Sequence, residues 1–170
     1  MAAKLPYLKR LAVGSGSQAA RASLAGIALA LRALGAVLGR PVSPGELVFV
    51  PDGKPRLGQG ATAADFSIAH SGSFVGCAAV RGAEVGFDLE QGTDERLDNW
   101  VAREATVKAA GIGMRAVDEV ILEGSDAWCR GRRWHGHALQ AFPGATARLM
   151  TSVALCSVQL QSLPLADLFA

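Results

Sequence analysis

The sequence predicts an α+β fold: two similar lobes, each a helix packed on antiparallel sheet, related by a pseudo-two-fold axis with a site between them. Three observations predict it. A helical pattern over residues 18–38 precedes a set of strand patterns, a second series of strand, helix and strands begins at Val85, and the turn at Arg81-Gly82 divides the two series. The lobes are read as residues 1–81 and 82–170, and 170 residues are enough for both to share a core. No internal sequence repeat accompanies the symmetry.

The residues up to Ser17 read as loop with a short strand or turn. In the helix that follows, Leu24, Ile27, Leu31, Leu34 and Leu38 step by three and four, the pattern of a core helix lying on a sheet. Gly39 suits its C-terminal cap, and Pro41 forbids continuation. Lys4, Lys9, Arg10 and Arg21 precede this run, but Arg32 interrupts it, so its apolar stretch is short of the roughly 20 residues a membrane span needs. A strand is expected over Glu46–Val50, then a Gly/Pro-rich loop over Pro51–Gly60 that contains Gly53-Lys54-Pro55. Strands over Phe66–His70 and Val75–Val80 flank Ser71-Gly72-Ser73, and a third covers Val85–Glu90. The polar segment Gln91–Asn99 leads to a helix from Trp100 to Ala110, capped by Asp98 or Asn99 and stopped by Gly111. The last third reads as antiparallel sheet. It has a short strand at Val120–Leu122, a hairpin over Trp128–Trp134 around Gly131, and strands Leu139–Phe142 and Ala147–Val158 about Pro143-Gly144. The apolar tail Leu163–Phe169 is expected to dock.

Composition excludes several functions. Half of the residues are hydrophobic, the formal charge is +2 and the pI is near 8.6, too mild for the basic face of a nucleic-acid binder. Arg130, Arg132 and Arg133 interleave with Trp128 and Trp134, an arrangement that can bind single strands. In a chain of such weak charge, a solvated rim is the reading preferred. Cys77, Cys129 and Cys156 form neither a disulfide framework nor a zinc pattern, which fits a reducing cytoplasm. His135 and His137 could share a strand face, but no third ligand is near them in sequence.

The chemistry-bearing pattern is Val85-Gly86-Phe87-Asp88-Leu89-Glu90. Strand side chains alternate, so Val85, Phe87 and Leu89 share one face and Gly86, Asp88 and Glu90 the other. Carboxylates two residues apart lie roughly 7 Å from one another at the Cα level, within reach of one hard cation. Gly86 leaves space for a ligand or another backbone. A solvated polar face is the bland alternative. Glu104 and Lys108, four apart with Trp100 one turn earlier, could equally be a surface helix pair or a third metal carboxylate and a phosphate-binding cation. Three carboxylates gathered without a cation would repel and raise their pKa values. His70, at a strand end beside hydroxyl residues, and Lys54, between rigid neighbours, could each serve a phosphate.

Taken in order, GKPRL, FSIAHSG, VGFDLE and WVAREATVKAAG resemble the motifs of the larger, pseudo-dimeric 4'-phosphopantetheinyl transferases, which activate peptide and polyketide synthetases. The resemblance covers Arg21 to Gly113, and more loosely the sheet beyond. It implies that Asp88, Glu90 and Glu104 hold Mg2+, that Lys108 contacts the coenzyme A pyrophosphate, and that Lys54, His70 and Ser71 serve its phosphates, with Ser23 touching the nucleotide phosphate. Glu104 and Lys108 would be the catalytic pair. The sequence departs from the family at Ser67 (usually Asn), Ala69 (usually Ser) and Arg103 (usually Lys). It also has only the short segment 91–99, where the family carries a longer one that helps to receive the carrier protein.

The function this implies is transfer of phosphopantetheine from coenzyme A to a serine of an acyl or peptidyl carrier protein. No nucleic acid or membrane partner is expected. One internal interface between lobes would give a monomer, and apolar surface exposed by the missing segment would instead invite a dimer. The alternatives are a non-catalytic coenzyme A-binding paralogue or regulatory subunit and, on the same carboxylates, a metal-dependent phosphohydrolase.

Overall fold

The computed structural model describes residues 18–51, 53–58, 64–155 and 157–168. The expectation for the stretch before Gln18 lies outside them. The protein is α+β, and among the described residues two α-helices combine with antiparallel sheets. Helix α1 runs Gln18–Leu38, and β1 (Leu47–Val48) pairs with β2 (Arg56–Leu57). Next come the hairpin strands β3 (Ala64–Ser71) and β4 (Phe74–Arg81), then β5 (Val85–Gln91) and helix α2 (Glu95–Ala110). Strands β6 (Ile121–Glu123), β7 (Asp126–Cys129), β8 (Arg132–Ala138) and β9 (Ala145–Thr151) complete a five-stranded sheet ordered β5-β9-β8-β7-β6.

Three apolar clusters hold these layers together. Ala30, Leu34 and Phe66 lie between α1 and the hairpin. Phe87, Leu89, Ala147 and Leu149 face Ala69, Phe74 and Phe142 on the other side of it. Val101 and Ala105 are fully buried on α2, and Ala105, Val107, Trp134 and Met150 form the cluster beneath that helix. Among the described residues α1 is the one helix long and apolar enough to cross a membrane. Its Ala22, Ala25, Ala30 and Leu34 are nevertheless buried in the fold. The tail docks on it: Arg32 Nη1 donates to the Asp167 carbonyl at 3.2 Å, from a 3-10 turn at Leu165–Leu168.

Several boundaries differ from the sequence expectation. Helix α2 begins at Glu95, five residues before Trp100, because Asp94 caps it: Leu97 N donates to Asp94 Oδ1 at 2.9 Å. The expected polar segment 91–99 is thus mostly helix. Glu46 is drawn into a 3-10 turn by a capping box with Ser43, which reduces the expected strand 46–50 to two residues. Leu139–Phe142 is not a strand, although Leu139 N still donates to Ala147 O at 3.0 Å. Strand β9 stops at Thr151, whose hydroxyl donates to Val153 O at 2.7 Å and turns the chain out of the ladder. The stop at Gly111 is as expected, with φ 65° in the left-handed region.

Candidate functional site

Strand β5 sorts its side chains as alternation demands. Phe87 and Leu89 enter the cluster toward the hairpin, and Asp88 lies on the opposite face, under α2. Helix and strand approach to within backbone touching distance at Gly86. A Cβ there would meet Ala109 Cα at 2.9 Å, with Ala105 O and Ala109 N nearer still. Gly86 therefore admits a second backbone, one of the two roles its sequence allowed, and that approach sets Glu104 and Lys108 over Asp88.

Lys108 Nζ donates to Asp88 Oδ1 at 2.5 Å and lies 4.0 Å from Glu104 Oε2. Asp88 is almost wholly buried, and its Oδ2 has no hydrogen-bond partner. Burial pushes the Asp88 carboxyl above its usual range, with Lys108 pulling the other way. Burial, followed by the negative charge of Asp88, pushes Glu104 up to about 7. Glu90 adds a smaller repulsion to both. Its own Oε2 accepts from Ser71 Oγ at 2.5 Å. Among the described residues, no group of three or more His, Cys, Asp or Glu side chains is gathered closely enough to hold an ion as arranged.

Lys54 is not the solvated loop lysine its position would ordinarily give. Its side chain is only 9% exposed, and its ammonium donates to Asp65 Oδ2 and, at 2.6 Å, to Val85 O. Burial lowers its pKa, and Asp65 opposes that. Lys54 and Lys108 line a common cavity of about 210 Å³, walled by Ser67, Val107, Gly111 and Met114. The sequence matches no family model and no curated protein, so any assignment rests on these residues.

The structure therefore gathers Asp88, Glu104 and Lys108, joins Ser71 to Glu90, and puts Lys54 and Lys108 on the lining of one cavity. His70 and Ser23 are not part of that group. His70 is exposed and alternates onto the opposite face of β3 from Ser71, the face that Phe66 and Ile68 turn to α1. Ser23 is exposed one turn before Gly26, which packs on Ile68 and Val75 beside His70. Sequence reasoning missed Asp65, the partner of Lys54. Its place two residues before Ser67 on the alternating strand was the signal available. It also missed Arg148, cross-strand neighbour of Asp88, which Asp98 holds through Oδ1 at 2.7 Å from Nε. The arginine-rich hairpin is tied up in ion pairs: Arg130 with Glu119, Arg132 with Glu84, and Arg133 with Asp126.

Proposed function

We propose that this chain is a magnesium-dependent phosphopantetheinyl transferase, a shortened relative of the larger, pseudo-dimeric members of that family. The observation that carries the proposal is the buried Asp88, with Oδ2 unpartnered, close to Glu104 and bonded to Lys108, which lines a cavity together with Lys54. Mg2+ commonly takes one or two carboxylates together with waters and substrate phosphates, and Asp88 with Glu104 fits that donor set. Glu90, whose Oε2 accepts from Ser71, would be the third carboxylate. When bound, the ion would offset charge on the diphosphate.

The chain's own residues have definite tasks in the reaction. The carrier serine oxygen attacks the β-phosphorus of coenzyme A; the new P–O bond forms as the bond to the bridging diphosphate oxygen breaks. Adenosine 3',5'-bisphosphate leaves, and the serine proton passes to Glu104. Lys108 exchanges Asp88 for the diphosphate and holds its negative charge in place. Lys54, braced by Asp65 and Val85 O, contributes to the lining of the cavity.

The test is mass gain on apo carrier proteins incubated with coenzyme A and magnesium, with and without chelator. E104Q should abolish transfer and keep its fold, and near-normal turnover would remove Glu104 from the role. One observation favours the second reading, a coenzyme A-binding protein without transfer. Only Gly92–Asp94 separate β5 from α2, which leaves no intervening element to receive a carrier. That reading predicts measurable coenzyme A binding with no mass gain on any carrier.

A further inference from the structure

Arg148 stands directly opposite Asp88 in the ladder between β5 and β9, and none of the roles above uses it. Directly opposed residues of an antiparallel pair have α-carbons about 4.5–5.5 Å apart and put their side chains on one face. Arg148 is therefore on the Asp88 side of the sheet, beneath α2, where a pair of opposite charges across the ladder would be the ordinary outcome. The guanidinium turns instead to Asp98 on α2, donating from Nε to Oδ1 at 2.7 Å and from Nη2 to Oδ2. Asp88 Oδ2 meanwhile is buried and has no hydrogen-bond partner. An orphaned oxygen on a buried carboxylate is costly, and a suitable cation lies one strand away.

The cost persists because that cation is engaged. A two-pronged bond between guanidinium and carboxylate is among the strongest side-chain pairs, and it fixes the direction of both partners. The Arg148 and Asp98 side chains are 18% and 33% exposed, so water competes for the pair only in part. Lys108 already covers Asp88 Oδ1, and a guanidinium on Oδ2 would close the carboxylate to any ion. We propose that Asp98 is a positioning residue: by holding Arg148 away from Asp88, it keeps Oδ2 open for a divalent cation. This rests on the divalent-ion reading of Asp88. The same pair ties α2 to β9, so withholding a cation has to be separated from seating a helix.

Calorimetric titration with Mn2+, which suits the same oxygen donors as Mg2+, separates them on wild type, D98A, R148Q, D98A/R148Q and R130A. In D98A the freed guanidinium should pair with Asp88 Oδ2 and weaken Mn2+ binding about tenfold or more, the strength of one hydrogen bond to a charged group. R148Q and the double variant have no guanidinium to release and should bind at least as tightly as wild type. R130A, which breaks only the exposed ion pair with Glu119, should match wild type. A crystal structure of D98A should show Arg148 donating to Asp88 Oδ2. Wild-type affinity in D98A, weakening shared by R148Q and the double variant, or an Arg148 turned elsewhere in the D98A crystal overturns the assignment and leaves the divalent-ion reading standing. No Mn2+ binding by wild type overturns both.

Discussion

Replacing Gly86 with alanine should damage stability and site together, and the structure sets the size of the effect. The new Cβ would find Ala109 Cα at 2.9 Å, and Ala105 O and Ala109 N nearer still. Carbon atoms at rest lie about 3.5–4.0 Å apart, so α2 must retreat by roughly 1 Å to clear the Ala109 α-carbon alone, and by more to clear the Ala105 carbonyl. The obstacles are backbone, so no side chain can rotate out of the way. Overpacking costs about 1–3 kcal/mol, and this case belongs at the upper end. Reduced freedom of the unfolded chain returns about 0.4–1 kcal/mol, leaving a net loss of about 2 kcal/mol. In a chain of this size that is about 4–8 °C of melting temperature. Urea unfolding with linear extrapolation measures it directly. Gly45→Ala is the control, because its Cβ would meet only Ser43 Oγ at 3.9 Å. The same retreat would pull Glu104 and Lys108 from Asp88, and a 1 Å misplacement can cost about 100-fold in rate. A G86A protein within about 0.5 kcal/mol of wild type, the spread of neutral surface changes, would refute the close backbone approach of α2 to β5.

Other consequences can be measured independently. A carboxyl whose folded pKa is raised contributes stability that is full below its unfolded value and lost as pH rises. In metal-free protein the Glu104 contribution should therefore decline between about 4.3 and about 7; melting scans across that range should show the slope, and E104Q should flatten it. Removing Lys54 leaves Asp65 without its cation, so Lys54→Met should cost about 3 kcal/mol. The double variant K54M/D65N should be less destabilised than additivity allows, as a denaturation cycle would show. Burial pushes the Cys77 thiol up to about 12. Iodoacetamide at mildly alkaline pH should therefore leave Cys77 intact in the folded protein and modify it in urea, as peptide mass mapping would reveal.

What could be read in advance follows from how local each signal is. The end of helix α1 at Leu38 was legible, because its apolar steps and the Gly39/Pro41 stop are contained in the segment itself. The α2 start was not, since Asp94 competes with Asp98 and Asn99 as a cap and only packing decides between them. The pairing of Asp88 with Lys108 was foreseeable in kind, from strand alternation and helix spacing. Its closeness depends on Gly86 meeting Ala105 and Ala109, which lie on a different element and which no periodicity brings to it. Lys54 misleads for a similar reason. A lysine between glycine and proline reads as solvated until Asp65 and Val85 are brought against it.

The hairpin and the large sheet are joined more firmly than a hinge between lobes would be. Residues β3 turns toward β5 recur at period two and meet β5 groups that recur at the same period. Val85 N donates to Asp65 Oδ2 at 2.8 Å, Ser67 Oγ donates to Phe87 O at 3.3 Å, and Gln91 N donates to Ser71 Oγ at 3.2 Å. Ala69, the remaining member, has no polar atom to offer Leu89. Side chains thus occupy the edge of β5 that β9 leaves open, the usual liability of an edge strand. The strand that presents Asp88 is held by main-chain bonds on one side and side-chain bonds on the other. Closure of one lobe over a ligand would have to break this ladder along its length. Any adjustment at the cavity is therefore left to side chains that can move alone, such as Lys108, whose ammonium reaches both Asp88 and Glu104.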